Sequence, residues 1–115
     1  RFDSVLEYKV YLELKKLNNN IQHHRDIILI PGVKGIHQSY SWQCDFFIPS
    51  LNMPVEVKGK WILQSARASE RKLFEMQWAL TKSKFPKAQL VSDDHFRIGD
   101  FDVHNYKDLI TWLEV

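Results

Sequence analysis

The chain is most constrained by one hairpin-like stretch, in which CDFFI (44–48) and VEVKG (55–59) flank PSLNMP (49–54). Aromatic and β-branched runs bounded by Pro, Ser and Asn read as two short strands and a tight connection. Side chains alternate along a strand, so Trp42, Cys44, Phe46 and Ile48 are expected on one face, and Gln43, Asp45 and Phe47 on the other. Val55 and Val57 then point one way, Glu56 and Lys58 the other. If both apolar sets face the core, Asp45, Glu56 and Lys58 converge on one polar side.

That convergence has a chemical meaning. Neighbouring carboxylates repel unless a cation or a bound metal holds them. Magnesium takes oxygen ligands at about 2.0 to 2.1 Å and keeps several waters, so two carboxylates and a substrate phosphate suit it. A lysine two residues past the second acid reaches the attacking water or the charge developing on phosphorus. In outline this is a site for metal-assisted phosphodiester hydrolysis. The plainer alternative is a hairpin carrying a surface Glu-Lys pair, and for the tripeptide alone it is a serious one. Asp45 on the matching face weighs against it, as does Gly59, whose missing side chain would let a substrate backbone approach.

Around this hairpin the chain alternates helix and strand signals. SVLEYKVYLELKKL (4–17) reads as a helix with Ser4 as N-cap, Glu7 in capping-box position and a buried stripe of Leu6, Val10, Leu14 and Leu17, ended by Asn18, Asn19 and Asn20. IQHHRDIILI (21–30) reads as a first strand, on which the adjacent His23 and His24 should face opposite sides and so not share one metal. PGVKGIHQSY (31–40) reads as a long hairpin loop whose Lys34, His37, Gln38 and Tyr40 suit a phosphate or base contact, the alternative being a flexible connection with no partner. After Gly59 comes an entry segment and a helix capped by Ser65 or Ser69, with Leu73, Phe74, Gln77, Trp78 and Thr81 as its buried face. Trp61 is expected in the core rather than stacked on a base, and Cys44 as a buried, unreactive thiol. AQLVS (88–92) reads as a fourth strand and Asp93-Asp94 as a turn rather than a metal site. Asn105 caps a last helix, YKDLITWLE, whose Tyr106, Leu109, Ile110 and Leu113 face inward. The order is αβββαβα, an α/β fold with a mixed sheet and flanking helices, in a single domain over residues 1–115.

Asp45, a gap of ten residues and then Glu56-Val57-Lys58 resemble the signature of the PD-(D/E)xK nuclease superfamily, although Cys44 stands where that signature has proline. The resemblance is closer to the phage junction-resolving endonucleases of the endonuclease I type. These carry an FxSxxE segment on a first helix, a DF strand and an acid-x-lysine followed by glycine and often tryptophan; here the matching residues are Phe2, Ser4, Glu7, Asp45, Phe46, Glu56, Lys58, Gly59 and Trp61. It implies a restriction-endonuclease-like core and a magnesium-dependent DNA endonuclease, with manganese as substitute metal. Asp45, Glu56 and the Val57 carbonyl would hold the metal, Glu7 would complete the shell and Lys58 would orient the water. It also implies branched DNA as substrate and a homodimer, since two symmetric nicks need two sites. Restriction, homing and transposon-end nucleases use related cores, and a non-catalytic DNA-binding module and RNA cleavage are the competing readings.

Charge is distributed in a way that suits a polyanion. The net charge is only +2, yet residues 1–57 sum to 0, 58–87 to +6 and 88–115 to −4. The basic excess follows directly on the acid-x-lysine, and Lys60, Arg67, Arg71 and Lys72 are the candidate phosphate contacts. A solvated basic helix face is the alternative. No apolar run approaches about 20 residues, so no membrane span is expected. One cysteine excludes an intrachain disulfide and, without a secretory leader, fits the cytoplasm of a bacterial or phage-infected cell. A chain starting on Arg1 points to a longer native protein.

Overall fold

The computed structural model describes residues 4–17, 20–65, 67–109 and 111. Helix α1 (Val5–Lys15) opens on Ser4, whose Oγ accepts the Glu7 backbone N–H at 3.0 Å, as the capping pattern predicts. Strands β1 (Gln22–Ile30), β2 (Tyr40–Ile48) and β3 (Met53–Val57) follow, β2 and β3 being joined by a 3-10 turn at Pro49–Leu51 that leaves through Asn52 at φ +49°. Helices α2 (Lys60–Ser65) and α3 (Ala68–Lys84) carry the chain to β4 (Gln89–Ser92), and β5 (Phe96–Ile98) and β6 (Phe101–Asn105) end the sheet. The architecture is α/β around one mixed six-stranded sheet of order β1-β2-β3-β4-β6-β5. Antiparallel pairing joins β1 to β2, β2 to β3 and β5 to β6, while β3 to β4 and β4 to β6 are parallel. A parallel neighbour requires a crossover, which α2 and α3 supply between β3 and β4.

Both faces of the sheet are covered. On one side α1 lays Val10 and Leu14 against Phe46, Ile48, Met53 and Val55. On the other, Trp78 of α3 packs with Leu63, Leu90 and Val103, and its ring meets Trp42 edge-on at 6.1 Å. The central strands are consequently buried on both faces, β3 at all five positions and β4 at Leu90, Val91 and Ser92. Among the described residues, no helix is long and apolar enough to cross a membrane.

The sheet departs from the expected order in three places. The stretch from Phe96 to Asn105 forms the hairpin β5–β6 in place of a plain connection, a tight turn at Gly99 (φ +56°) reversing the chain. The single helix expected after Gly59 is two, and the N-cap position of α3 is Arg67, so neither Ser65 nor Ser69 caps it. Of its expected buried face, Trp78 and Thr81 are buried and Phe74 and Gln77 half-buried, but Leu73 is 54% exposed. Of the expected final helix the described residues show a 3-10 turn, Tyr106–Asp108, with Asn105 Oδ1 accepting the Lys107 N–H at 3.0 Å. Leu109 is buried; Ile110 and Leu113, like Phe2, Asn18 and Asn19, lie outside the described residues.

The alternation expected along β2 breaks at Asp45. The Tyr40 phenol oxygen accepts the Gln77 amide N–H of α3 at 2.8 Å, and Trp42 and Cys44 pack with Ile27 and Leu29 on that same side. Phe46 and Ile48 face α1 instead, while Phe47 turns back to Phe85 beyond α3 at 5.9 Å. Across from Asp45, between the pairs His23↔Phe46 and Arg25↔Cys44, stands His24 at φ +55°. The phase of both strands thus shifts at one rung of the ladder. Truncating the fully buried Phe46 to Ala is expected to cost about 3 to 5 kcal/mol in denaturant unfolding. Leu73→Ala should stay within about 0.5 kcal/mol, and an equal loss from both would contradict the packing described.

Candidate active site

The β2–β3 register, Phe46↔Val55 and Phe47↔Pro54, places Asp45 opposite Glu56 one step further along. Their carboxyl groups meet in a hydrogen bond, and Asp45 Oδ2 also accepts the Val57 backbone N–H at 2.8 Å. Glu56 is only 3% exposed. Burial, then the hydrogen bond and negative charge of Asp45, hold its carboxyl well above the ordinary carboxylate range, with the Lys58 ammonium pulling in the opposite direction. The three residues singled out from the sequence are therefore within electrostatic reach of one another.

A cleft of about 270 Å³ opens at this point, lined by Ser4, Leu6, Glu7, Asp45, Val57, Lys58 and Gly59. Asp45 and Lys58 form its wall, and Glu56 sits behind Asp45 rather than in the lining. Lys58 is fixed through its backbone, whose N–H donates to the Val91 carbonyl at 3.0 Å and so extends the β3–β4 ladder. The turn after β4 reinforces it. Asp93 Oδ1 accepts the Lys60 backbone N–H at 2.9 Å and Asp94 Oδ2 accepts the Lys60 ammonium at 2.7 Å, pinning the start of α2. These contacts with Lys60 hold both aspartates below their ordinary carboxylate range. Asp93 and Asp94 thus act as the expected turn, and Lys60 is engaged by an acid rather than presented alone.

Glu7 lines the same cleft as Asp45 and Lys58, and among the described residues it also forms, with His23 and His24, the one group of three donors within 4.8 Å. His23 and His24 were expected on opposite faces. The left-handed conformation of His24 turns both rings to the α1 side, stacked at 3.8 Å, with each Nε2 at hydrogen-bond distance from Glu7 Oε1, 3.1 and 3.0 Å. A sequence marks no such kink, although His is among the residues that tolerate positive φ. Trp61 is also misjudged, being 77% exposed rather than in the core.

Of the residues expected to contact phosphates, Lys34 lies on the exposed turn after β1 and Arg67 lies 3.6 Å from Glu70. Arg71 and Lys72 line a separate groove of about 420 Å³, joined there by Arg97 of β5, which the sequence reading overlooked. Cys44 is buried as expected, and burial together with the nearby Glu56 charge pushes its thiol up to about 12. Compared with protein-family models, curated proteins and solved structures, the chain matches none of them.

The donor chemistry at Asp45 and Glu56 fits a hard divalent cation. Two carboxyls in contact must either share a proton or be bridged by positive charge, and a hard cation takes carboxylate oxygen. A carboxyl whose proton is held this tightly is measurable through stability. The folded protein holds the Glu56 proton more tightly than the unfolded chain does, so its contribution is complete below pH 4.5 and is lost as pH rises through the raised folded value. Glu56→Gln mimics the protonated form. In EDTA its melting temperature should exceed that of the unmodified protein at mildly alkaline pH, the gap closing as pH falls toward 4.5; a gap independent of pH would exclude a buried, proton-holding Glu56.

Proposed function

We propose that the protein is a divalent-metal-dependent DNA endonuclease with a restriction-endonuclease-like core. The contact of the Asp45 and Glu56 carboxyls beside Lys58, at the edge of a cleft floored by Gly59, is the observation that carries this reading. Asp45, Glu56 and the Val57 carbonyl would hold magnesium, or manganese in its place, and the ion would supply Lewis-acid polarisation of a phosphate and of water. Lys58 orients the water and offsets charge on the scissile phosphate. Gly59 leaves room for a sugar-phosphate backbone to reach these groups. Arg71 and Lys72, with Arg97 across their groove, give the polyanion a cationic path beyond the cleft.

The likeness to phage junction-resolving endonucleases extends the proposal to branched DNA cut by a homodimer. Lys58→Ala is expected to retain DNA affinity while cleavage in magnesium falls by at least about 100-fold, the scale of losing a group that stabilises transition-state charge. Gel assays on four-way-junction, nicked and linear duplex DNA read both quantities and the substrate preference together. A Lys58→Ala protein that cuts at the unmodified rate would remove this lysine from the mechanism.

A further inference from the structure

We propose that Glu7, His23 and His24 form a binding site for a divalent transition metal of the zinc class, separate from the carboxylate pair at Asp45 and Glu56. The inference stands apart from the nuclease reading, because it uses neither of those acids nor Lys58. One oxygen and two imidazole nitrogens lie within 4.8 Å of one another, close enough for a single ion to replace the hydrogen bonds now joining them. Zinc takes His nitrogen at about 2.0 to 2.1 Å and carboxylate oxygen at about 2.0 to 2.2 Å, and three protein ligands leave a further position for water. Imidazole ligands favour zinc, cobalt, nickel or copper over magnesium, which prefers an all-oxygen shell.

The three ligands come from two elements that the fold holds firmly, Glu7 from α1 and both histidines from β1. Glu7 sits in the first turn of α1, its side chain 3% exposed and its backbone N–H held by the Ser4 cap. His23 is braced by stacking on the Phe46 ring at 5.0 Å. His24 reaches the same carboxylate only because its backbone is at φ +55°. Such a conformation in a non-glycine residue costs of the order of 1 to 3 kcal/mol and persists where the surroundings impose it. The two imidazole side chains remain 26% and 29% exposed, so an ion and its water can enter from solvent. Glu7 also lines the cleft shared with Asp45 and Lys58, which puts the ion at the edge of the proposed phosphodiester site. Binding uses the Nε2 lone pair; a neutral imidazole moves its Nε2 proton to Nδ1, and an imidazolium releases one to solvent.

Cobalt titrated into the EDTA-treated protein, with excess magnesium present to fill any carboxylate site, reads the ion directly through its visible absorption. One equivalent is expected to bind, and zinc to displace it. His23→Gln and His24→Asn, the second keeping a residue that tolerates positive φ, should each weaken cobalt binding by about 100-fold or more, with the folded state checked by far-ultraviolet circular dichroism. Asp45→Asn should leave the cobalt spectrum unchanged. The proposal is overturned if no nitrogen-ligated cobalt spectrum appears, if a folded histidine variant binds as tightly as the unmodified protein, or if Asp45→Asn abolishes the signal. Because no cleavage is measured, these outcomes are independent of whether Lys58 proves catalytic.

Discussion

Two carboxyl groups pressed together under a sheet make an unfavourable arrangement, and the contact of Asp45 with Glu56 is the constraint on which the rest of the site depends. Left ionised, both would repel in a buried setting that already disfavours charge. The protein relieves this with a shared hydrogen bond, with the Val57 N–H donating to Asp45 and with the Lys58 ammonium nearby. A proton held on Glu56 and a divalent cation between the two carboxyls would each relieve the same repulsion.

The same rung of the sheet organises what lies on either side of it. Asp45 marks the point where β2 changes which face its side chains present, and His24, across from it on β1, adopts the left-handed backbone. Toward α1 the irregularity gathers His23, His24 and Glu7; toward α3 it leaves Glu56 buried behind Asp45 against the strand that carries Leu90. The crossover through α2 and α3 begins at Lys60, held by Asp93 and Asp94 from the turn after β4, so the parallel part of the sheet steadies the lysine end of the motif. A basic groove at Arg71, Lys72 and Arg97 belongs to the same α2–α3 and β5 layer.

Much of this was legible from local pattern. The Ser4 cap, the α1 stripe, the β2–β3 hairpin and the meeting of Asp45 with Glu56 all follow from short-range periodicity and turn chemistry. What escaped involves a backbone angle or a long-range contact. Strict alternation put His23 and His24 on opposite faces and Phe46 with Cys44, because a single positive φ cannot be read from composition. The same short-range view placed Leu73 inside, though helix periodicity states only which residues share a stripe and not where the neighbouring element ends, and Trp61 was placed inside on its residue type alone. β5 and β6 are short, and Gly99-Asp100 between them reads as an ordinary loop until Arg97 and Asp102 pair across it.

The most direct test of the central claim is calorimetric titration of magnesium into the metal-free protein in buffers of different ionisation enthalpy, below the raised folded value of Glu56. Binding at the Asp45–Glu56 pair must expel the shared proton, so the observed heat should change with the buffer, and Asp45→Asn should lose the binding. Magnesium that binds with no proton release, or that binds equally well to Asp45→Asn, would contradict the account.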